Sequence, residues 1–330
     1  MPHDSANHSV TASPPRPGKV ADYLAIARLD HVTKQIFIVP GIVLAALLRG
    51  VHTEHLALNV FLGVVTAVGI ASANYVINEW LDREFDKFHP TKSRRRAVQC
   101  ELSGTVVAFE WFLLVATGLG AAFAAGRVTF LVAALFALQG LVYNVAPLRT
   151  KDQPYLDVVS ESINSPLRLV IGWAMVDPLT IPPGSIILTY WMAGSFLMAA
   201  KRLSEYREIV AAHSKELLTR YRASFAGYTE ISLTVSCFIY GLLSSFFLAV
   251  FLIKYRMEYI LLMPVIIVMF AHYLSLSMKP GSSAQNPEKL YRERGLALLI
   301  ILLVALFALT TAVDFPLLEQ LTEQRFIGLR

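Results

Sequence analysis

From Leu56 to Ile77 the chain runs 22 residues without a charged side chain, then passes with no break into NEWLDREFDKFHPTKSRRR. An apolar run of that length is sufficient for a helix to cross a bilayer core. The same helix therefore predicts both a membrane span and, at its end, a dense polar cluster. Composition decides between a span and a buried core helix. Hydrophobic residues make up 55% of the 330 and charged ones only 16%, with a mean hydropathy of +0.54, so apolar residues form runs rather than stripes. Spanning helices are predicted at 35–50, 56–78, 104–124, 128–147, 156–175, 184–201, 230–252, 258–277 and 295–313. The expected fold is an all-α, multi-pass membrane bundle of about nine transmembrane helices with a polar chamber on the cytosolic side.

The basic residues test that layout. With the N-terminus in the cytosol, 22 of the 29 Lys and Arg fall in cytosolic segments, six on the opposite side, and Arg168 alone within a span. This is the asymmetry that positive-inside topology requires. It places the C-terminus across the membrane and accounts for the net charge of +5 without a nucleic-acid partner. Residues 1–19 are rich in Ser, Pro and His and read as a disordered cytosolic tail, and 20–33 as an amphipathic helix on the membrane surface. Residues 20–330 read as one transmembrane domain. Two cysteines are too few for a disulfide framework or a structural zinc site.

Three groups carry the candidate chemistry. Asn74, Asn78, Asp82 and Asp86 recur every four residues and share one helical face, with Glu79 beside them. Lys92, Arg94, Arg95 and Arg96 follow the helix-stopping His89-Pro90 pair. Carboxylates stacked on one face repel unless a cation joins them, and hard oxygen donors suit Mg²⁺. In the span 156–175, Asp157, Glu161, Asn164 and Arg168 again share a face, and ionisable groups at that depth face a cavity or one another. An internal ion pair between Glu161 and Arg168 is the plain alternative to a functional role. The third group, Lys201, Arg202 and Glu205, closes the span 184–201. Tyr143, Arg149 and Lys151 add a short basic connection on the same side. No Gly-rich phosphate loop and no His pair at metal-ligand spacing is present.

The string Asn78-Glu79-x-x-Asp82-x-x-x-Asp86 after the second predicted helix resembles the signature of the UbiA superfamily of intramembrane prenyltransferases. The similarity extends from about residue 20 to about residue 300. It is also strong at AGSFLMAAKRLSEY and NPEKLYRERGLALL, and AGSFLMAAKRLSEY favours the phosphoribosyltransferase branch. The resemblance implies Mg²⁺-dependent transfer of 5-phosphoribose from phosphoribosyl diphosphate to a polyprenyl phosphate at the cell (inner) membrane. It implies Asp82 and Asp86 as metal ligands assisted by Glu79, and Asp82, Asp86, Lys201 and Arg202 as the catalytic group. Asn74, Asn78, Lys92, Arg95, Tyr143, Arg149, Lys151, Asp157, Glu161, Arg168 and Glu205 are expected to line the substrate site. The expected partners are the bilayer and those two substrates, with a second copy of the chain in a homo-oligomer. Superfamily prenyltransferases carry a second Asp-rich motif where this chain reads Lys201-Arg202-x-x-Glu205, and cations there suit phosphates directly. Three positions depart from the pattern: Glu79 for Asp, Arg96 for Pro and Cys100 for Gly. The alternative within the superfamily is transfer of a polyprenyl group from its diphosphate to an aromatic or other small acceptor. A transporter is the alternative outside it, and would need polar groups at the far face, where Glu54 and Asp177 stand.

Overall fold

The computed structural model describes residues 15–279, 281, 293–316 and 318. Among the described residues thirteen α-helices follow in order: α1 Val20–Ile26, α2 Val39–Arg49, α3 Leu56–Asp86, α4 Arg96–Gln99, α5 Gly104–Ala125, α6 Arg127–Asn144, α7 Leu156–Ser162, α8 Asn164–Val176, α9 Gly184–Ala212, α10 Lys215–Tyr221, α11 Glu230–Tyr255, α12 Met263–Ser277 and α13 Arg294–Ala312. Short 3-10 turns link several of them. At 1.5 Å per residue, α3 is about 46 Å long, against a hydrocarbon core of about 30 Å. Its charged last turns therefore project past the apolar layer, and they form the near side of the chamber.

Six helices among the described residues are long and apolar enough to cross a membrane: α3, α5, α6, Met257–Ser277, α11 and α13. The bent pair Val20–His31 and Gln35–Arg49 makes a seventh if counted as one span. The expected count of nine is not reached by this measure. The span predicted at 156–175 is divided into α7 and α8 at Ile163, within a polar SESINSP string. The apolar first half of α9 continues without a break into KRLSEYRE, so one helix serves as both span and site.

Residues expected in a disordered tail to position 19 are partly ordered: Arg16–Pro17 pairs in parallel with Cys100–Glu101, and Arg16 forms a two-pronged bond to Asp22 at 2.8 Å. Residues 1–14 lie outside the described ones. The bundle has two main cores. One gathers Ile70, Phe136, Ile171, Trp173 and Met175 between α2, α3, α6 and α8. The other packs α9 and α11 against Leu218, Phe225 and Tyr228 of the segment that follows α9. Outward faces carry Phe109, Phe112, Phe238, Phe246, Leu298 and Ile301 exposed, as lipid-facing positions do. At the end away from the chamber, Asp177 is bound by Arg49 at 3.1 Å and Thr180 at 2.6 Å. It is spent on holding that turn.

Candidate active site

The last turns of α3 are fixed before any substrate arrives. Asn74 donates to the Phe136 carbonyl at 3.2 Å, in space left by Gly140, where any side chain would collide with the Asn74 amide. Asn78 donates to Asn144 Oδ1 at 2.7 Å, and Lys151 Nζ reaches that same oxygen at 2.9 Å. Asp82 Oδ1 takes Lys151 at 2.5 Å and Arg149 at 2.9 Å. Arg95 binds Asp86 Oδ2 at 2.6 Å. The other oxygen of each Asp accepts no hydrogen bond among the described residues. Burial pushes the Lys151 ammonium down to about 8, with Asp82 acting against that fall.

The end of α9 is wired differently. Arg202 is buried and meets three carboxylates: Asp157 at 3.2 Å, Glu161 at 3.0 Å and Glu205 at 3.4 Å. Glu205 Oε1 also receives His89 Nε2 at 3.1 Å, the Tyr221 hydroxyl at 3.1 Å and Lys92 at 3.4 Å. His89 Nδ1 accepts the backbone N–H of Thr91 and Lys92. That assigns the ring proton to Nε2, where it is donated to Glu205. Burial holds the imidazole below its ordinary value, with the Glu205 bond pulling the other way, and burial likewise pushes Lys92 down to about 8. Asp157, fully buried, takes Tyr228 at 2.6 Å and Ser224 at 3.0 Å as well. Tyr143 donates to Glu161 at 2.8 Å and accepts from Arg222 at 3.3 Å. Lys201 is half-buried and forms no ion pair among the described residues.

Several expectations change. Glu79 does not join Asp82 and Asp86; it turns to Arg28 at 3.5 Å. It lines a cavity of about 530 Å³ with Arg28, Arg94, Arg95 and Arg96, next to the Asp86–Arg95 pair. Asp157 pins α7 to α9 and to the aromatic segment, so it cannot meet a substrate without giving up three hydrogen-bond donors. The Glu161–Arg168 pair does not form, because Arg202 takes Glu161 and Arg168 bonds Gln35 at 3.0 Å and the Asn164 carbonyl at 3.1 Å. Among the described residues no three His, Cys, Asp or Glu side chains converge as a ready metal cage. Sequence reasoning missed Arg28, His89, Asn144, Tyr221, Arg222 and Tyr228. The string YRASFAGY was a signal of sorts, since a polar connection seldom holds that many aromatics unless it packs.

The UbiA prenyltransferase family model matches residues 37–294, more than three quarters of the chain. The chain belongs to the UbiA prenyltransferase family. Its family and its apolar helices make it a multi-pass membrane protein. Decaprenyl-phosphate phosphoribosyltransferase of Mycolicibacterium smegmatis is 28% identical over 250 residues, covering 73% of this chain and 75% of the relative. An uncharacterized protein of Sinorhizobium fredii is 31% identical over 166 residues, 49% of this chain but only 30% of that protein. Two other curated relatives are also matched over less than half their length. The solved structure of a UbiA homolog from Archaeoglobus fulgidus, bound to GPP and Mg²⁺, superposes with a TM-score of 0.65 at 20% identity, over 88% of this chain and all of that one. The shared fold puts the UbiA architecture beyond the motif alone.

Proposed function

We propose that this chain transfers 5-phosphoribose from phosphoribosyl diphosphate to a polyprenyl phosphate, releasing diphosphate, at the cytosolic face of the cell membrane. The observation that carries this reading is the wiring of Glu205. At the position where the prenyltransferase pattern places a second set of carboxylates, this chain's carboxylate is engaged by four donors, while Lys201 stands beside it as a cation with no ion pair among the described residues. Such a wall suits an anion better than a second metal. The likeness to the mycolicibacterial phosphoribosyltransferase, over most of both chains, supports the same choice.

The residues of α3 fit a Mg²⁺. Asp82 and Asp86 lie one turn apart and each has one oxygen in excess of its cation partners. Mg²⁺ commonly takes one or two carboxylates and completes its shell with substrate phosphates and water. Asp82 and Asp86 would hold it, and when bound it would supply charge neutralisation on the leaving diphosphate. The chain's own cations do the rest. Lys92, Arg95 and Lys201 bind phosphate oxygens, and Arg149 and Lys151 orient Asp82. The bond from the anomeric carbon to diphosphate breaks, and a bond to the lipid phosphate oxygen forms in its place. That nucleophile is already an anion, so no general base is required. Cations fixed where charge builds on the leaving group lower the barrier without reorganising.

The test is turnover by the purified protein in detergent with Mg²⁺, a polyprenyl phosphate and labelled phosphoribosyl diphosphate. Mg²⁺-dependent movement of label into the lipid phase is expected. The second reading, prenyl transfer to a small acceptor, draws on the GPP-bound neighbour. Consumption of a prenyl diphosphate with an aromatic acceptor, and no labelled lipid, would select it instead.

A further inference from the structure

Among the described residues, Arg168 is a charge without a counter-charge. Every carboxylate of the chamber is taken by another cation: Glu79 by Arg28, Asp82 by Lys151 and Arg149, Asp86 by Arg95, and Asp157, Glu161 and Glu205 by Arg202. Arg168 has no ion pair among the described residues, yet it is nine-tenths buried. It lies eleven residues beyond Asp157 along the α7–α8 path, roughly 16 Å deeper at helical rise. Among the described residues its hydrogen-bond partners are neutral oxygens of Gln35 and Asn164, and its guanidinium sits 5.0 Å from the Phe136 ring centre.

An isolated cation at membrane depth is costly and is found where it faces a partner or a pathway. The surroundings are built rather than accidental. Gly41 of α2 and Gly172 of α8 let the two segments touch: a side chain at either would strike the carbonyl of Leu169 or Ile38. This close contact sets Gln35 against Arg168. Asn164, one turn before Arg168 on the same face, has a buried side-chain oxygen with no partner. Its amide, turned over, presents an NH₂ group to the same anion.

We propose that Arg168 is a phosphate anchor at the floor of the chamber, completed by Asn164 and relieved from Gln35 when a phosphate monoester arrives. This rests on the phosphate-handling reading above. A phosphate reaches this depth from one of two sources, the head of the polyprenyl phosphate or the 5-phosphate of the ribose donor. A guanidinium is the group best matched to either.

The experiment compares wild type, Arg168→Met and Arg168→Lys in detergent. A C20 polyprenyl phosphate and the matching uncharged polyprenol are titrated by a binding assay that needs no turnover. Wild type should prefer the phosphate by about 10- to 100-fold, the range of a charge-assisted bond. Arg168→Met should bring that preference to within about threefold, and Arg168→Lys should keep part of it. Removing an uncompensated buried cation should leave the ligand-free melting temperature unchanged or raised. Turnover then separates the sources: a raised KM for lipid with the donor KM unchanged assigns the lipid phosphate. A raised donor KM with an unchanged lipid preference assigns the 5-phosphate. Unchanged preference and unchanged KM values, with a lower melting temperature, would make Arg168 a structural brace and overturn the proposal. If wild type transfers no phosphoribose, the functional reading fails alone, since the lipid preference and the binding of ribose 5-phosphate, each compared between wild type and Arg168→Met, still decide the anchor. Should Arg168→Met not fold, Arg168→Lys decides: an undiminished phosphate preference together with unchanged KM values would count against the anchor.

Discussion

The ends of α3 and α9 look alike as sequence. Each is an apolar helix that runs into charge, and each brings carboxylates beside Lys and Arg. In the folded chain they are opposites. The α3 carboxylates are held by one or two cations apiece and keep an oxygen spare, so they are poised for a further positive ligand. Glu205 of α9 has both oxygens engaged by His89, Lys92, Tyr221 and Arg202, so it holds cations in place instead. On the proposed function, the same residue types make a metal-accepting wall on one side of the chamber and an anion-accepting wall on the other. What decides the difference is how many donors converge on each carboxylate.

The largest break should come at the metal-accepting wall. Asp82→Asn is expected to cut turnover at least about 1000-fold by removing the charge that would neutralise a leaving diphosphate. Stability should change little, because the Lys151 left behind can shed its proton, its pKa being already depressed by burial. Turnover within tenfold of wild type would remove Asp82 from the metal role. Arg202→Met attacks the other wall. It strands Asp157, Glu161 and Glu205 together without their shared cation, and breaking buried pairs in this way costs roughly 3–5 kcal/mol. Thermal unfolding in detergent should show the loss directly. Glu205→Gln sharpens the contrast: turnover should fall about tenfold as Lys92 and His89 lose their anchor, while the apparent Mg²⁺ affinity stays within twofold of wild type. Asp86→Asn should weaken that affinity. A comparable weakening in both variants would make the two walls the same kind of site.

How far this was legible in the sequence follows from what kind of information each feature needs. The helices were readable because apolar runs and their flanking charges are local. The α3 row was readable because Asn74, Asn78, Asp82 and Asp86 repeat at helical spacing. Pairing was not readable, since it depends on which helix ends meet. Glu161 and Arg168 share a helical face by spacing, yet Arg202, 41 positions along, wins Glu161. Glu79 stands one position off the row of Asp82 and Asp86, near enough to lean toward it, but is drawn aside by Arg28 from an N-terminal segment. The break at Ile163 was hidden because Asn, Ser and Pro in a helical pattern mark either a kink or a helix start. The role of the segment 218–228 emerged only when Tyr221 and Tyr228 were seen to reach Glu205 and Asp157.

The smallest effect, and the one that tests whether the anion wall works by charge, concerns Lys92. Its pKa, near 8 in the folded protein, lies below the roughly 10.4 of an unfolded lysine. Below pH 8 the ammonium is charged in both states, and the folded state bears the cost of desolvating it. Between about pH 8 and 10.4 the unfolded chain holds more protons, so this group's contribution makes folding more favourable as pH rises. Activity should move the opposite way. Phosphate binding needs the charge, so kcat/KM for the donor should fall through an apparent pKa near 8, by no more than tenfold per pH unit. The limb in kcat should lie higher, because a bound phosphate favours the ammonium. Lys92→Arg keeps the cation at all accessible pH values and should flatten this limb while leaving the neutral-pH rate within a few fold. A limb that persists unchanged in Lys92→Arg would assign the titration elsewhere, and the anion wall would then lose its claim to act through Lys92.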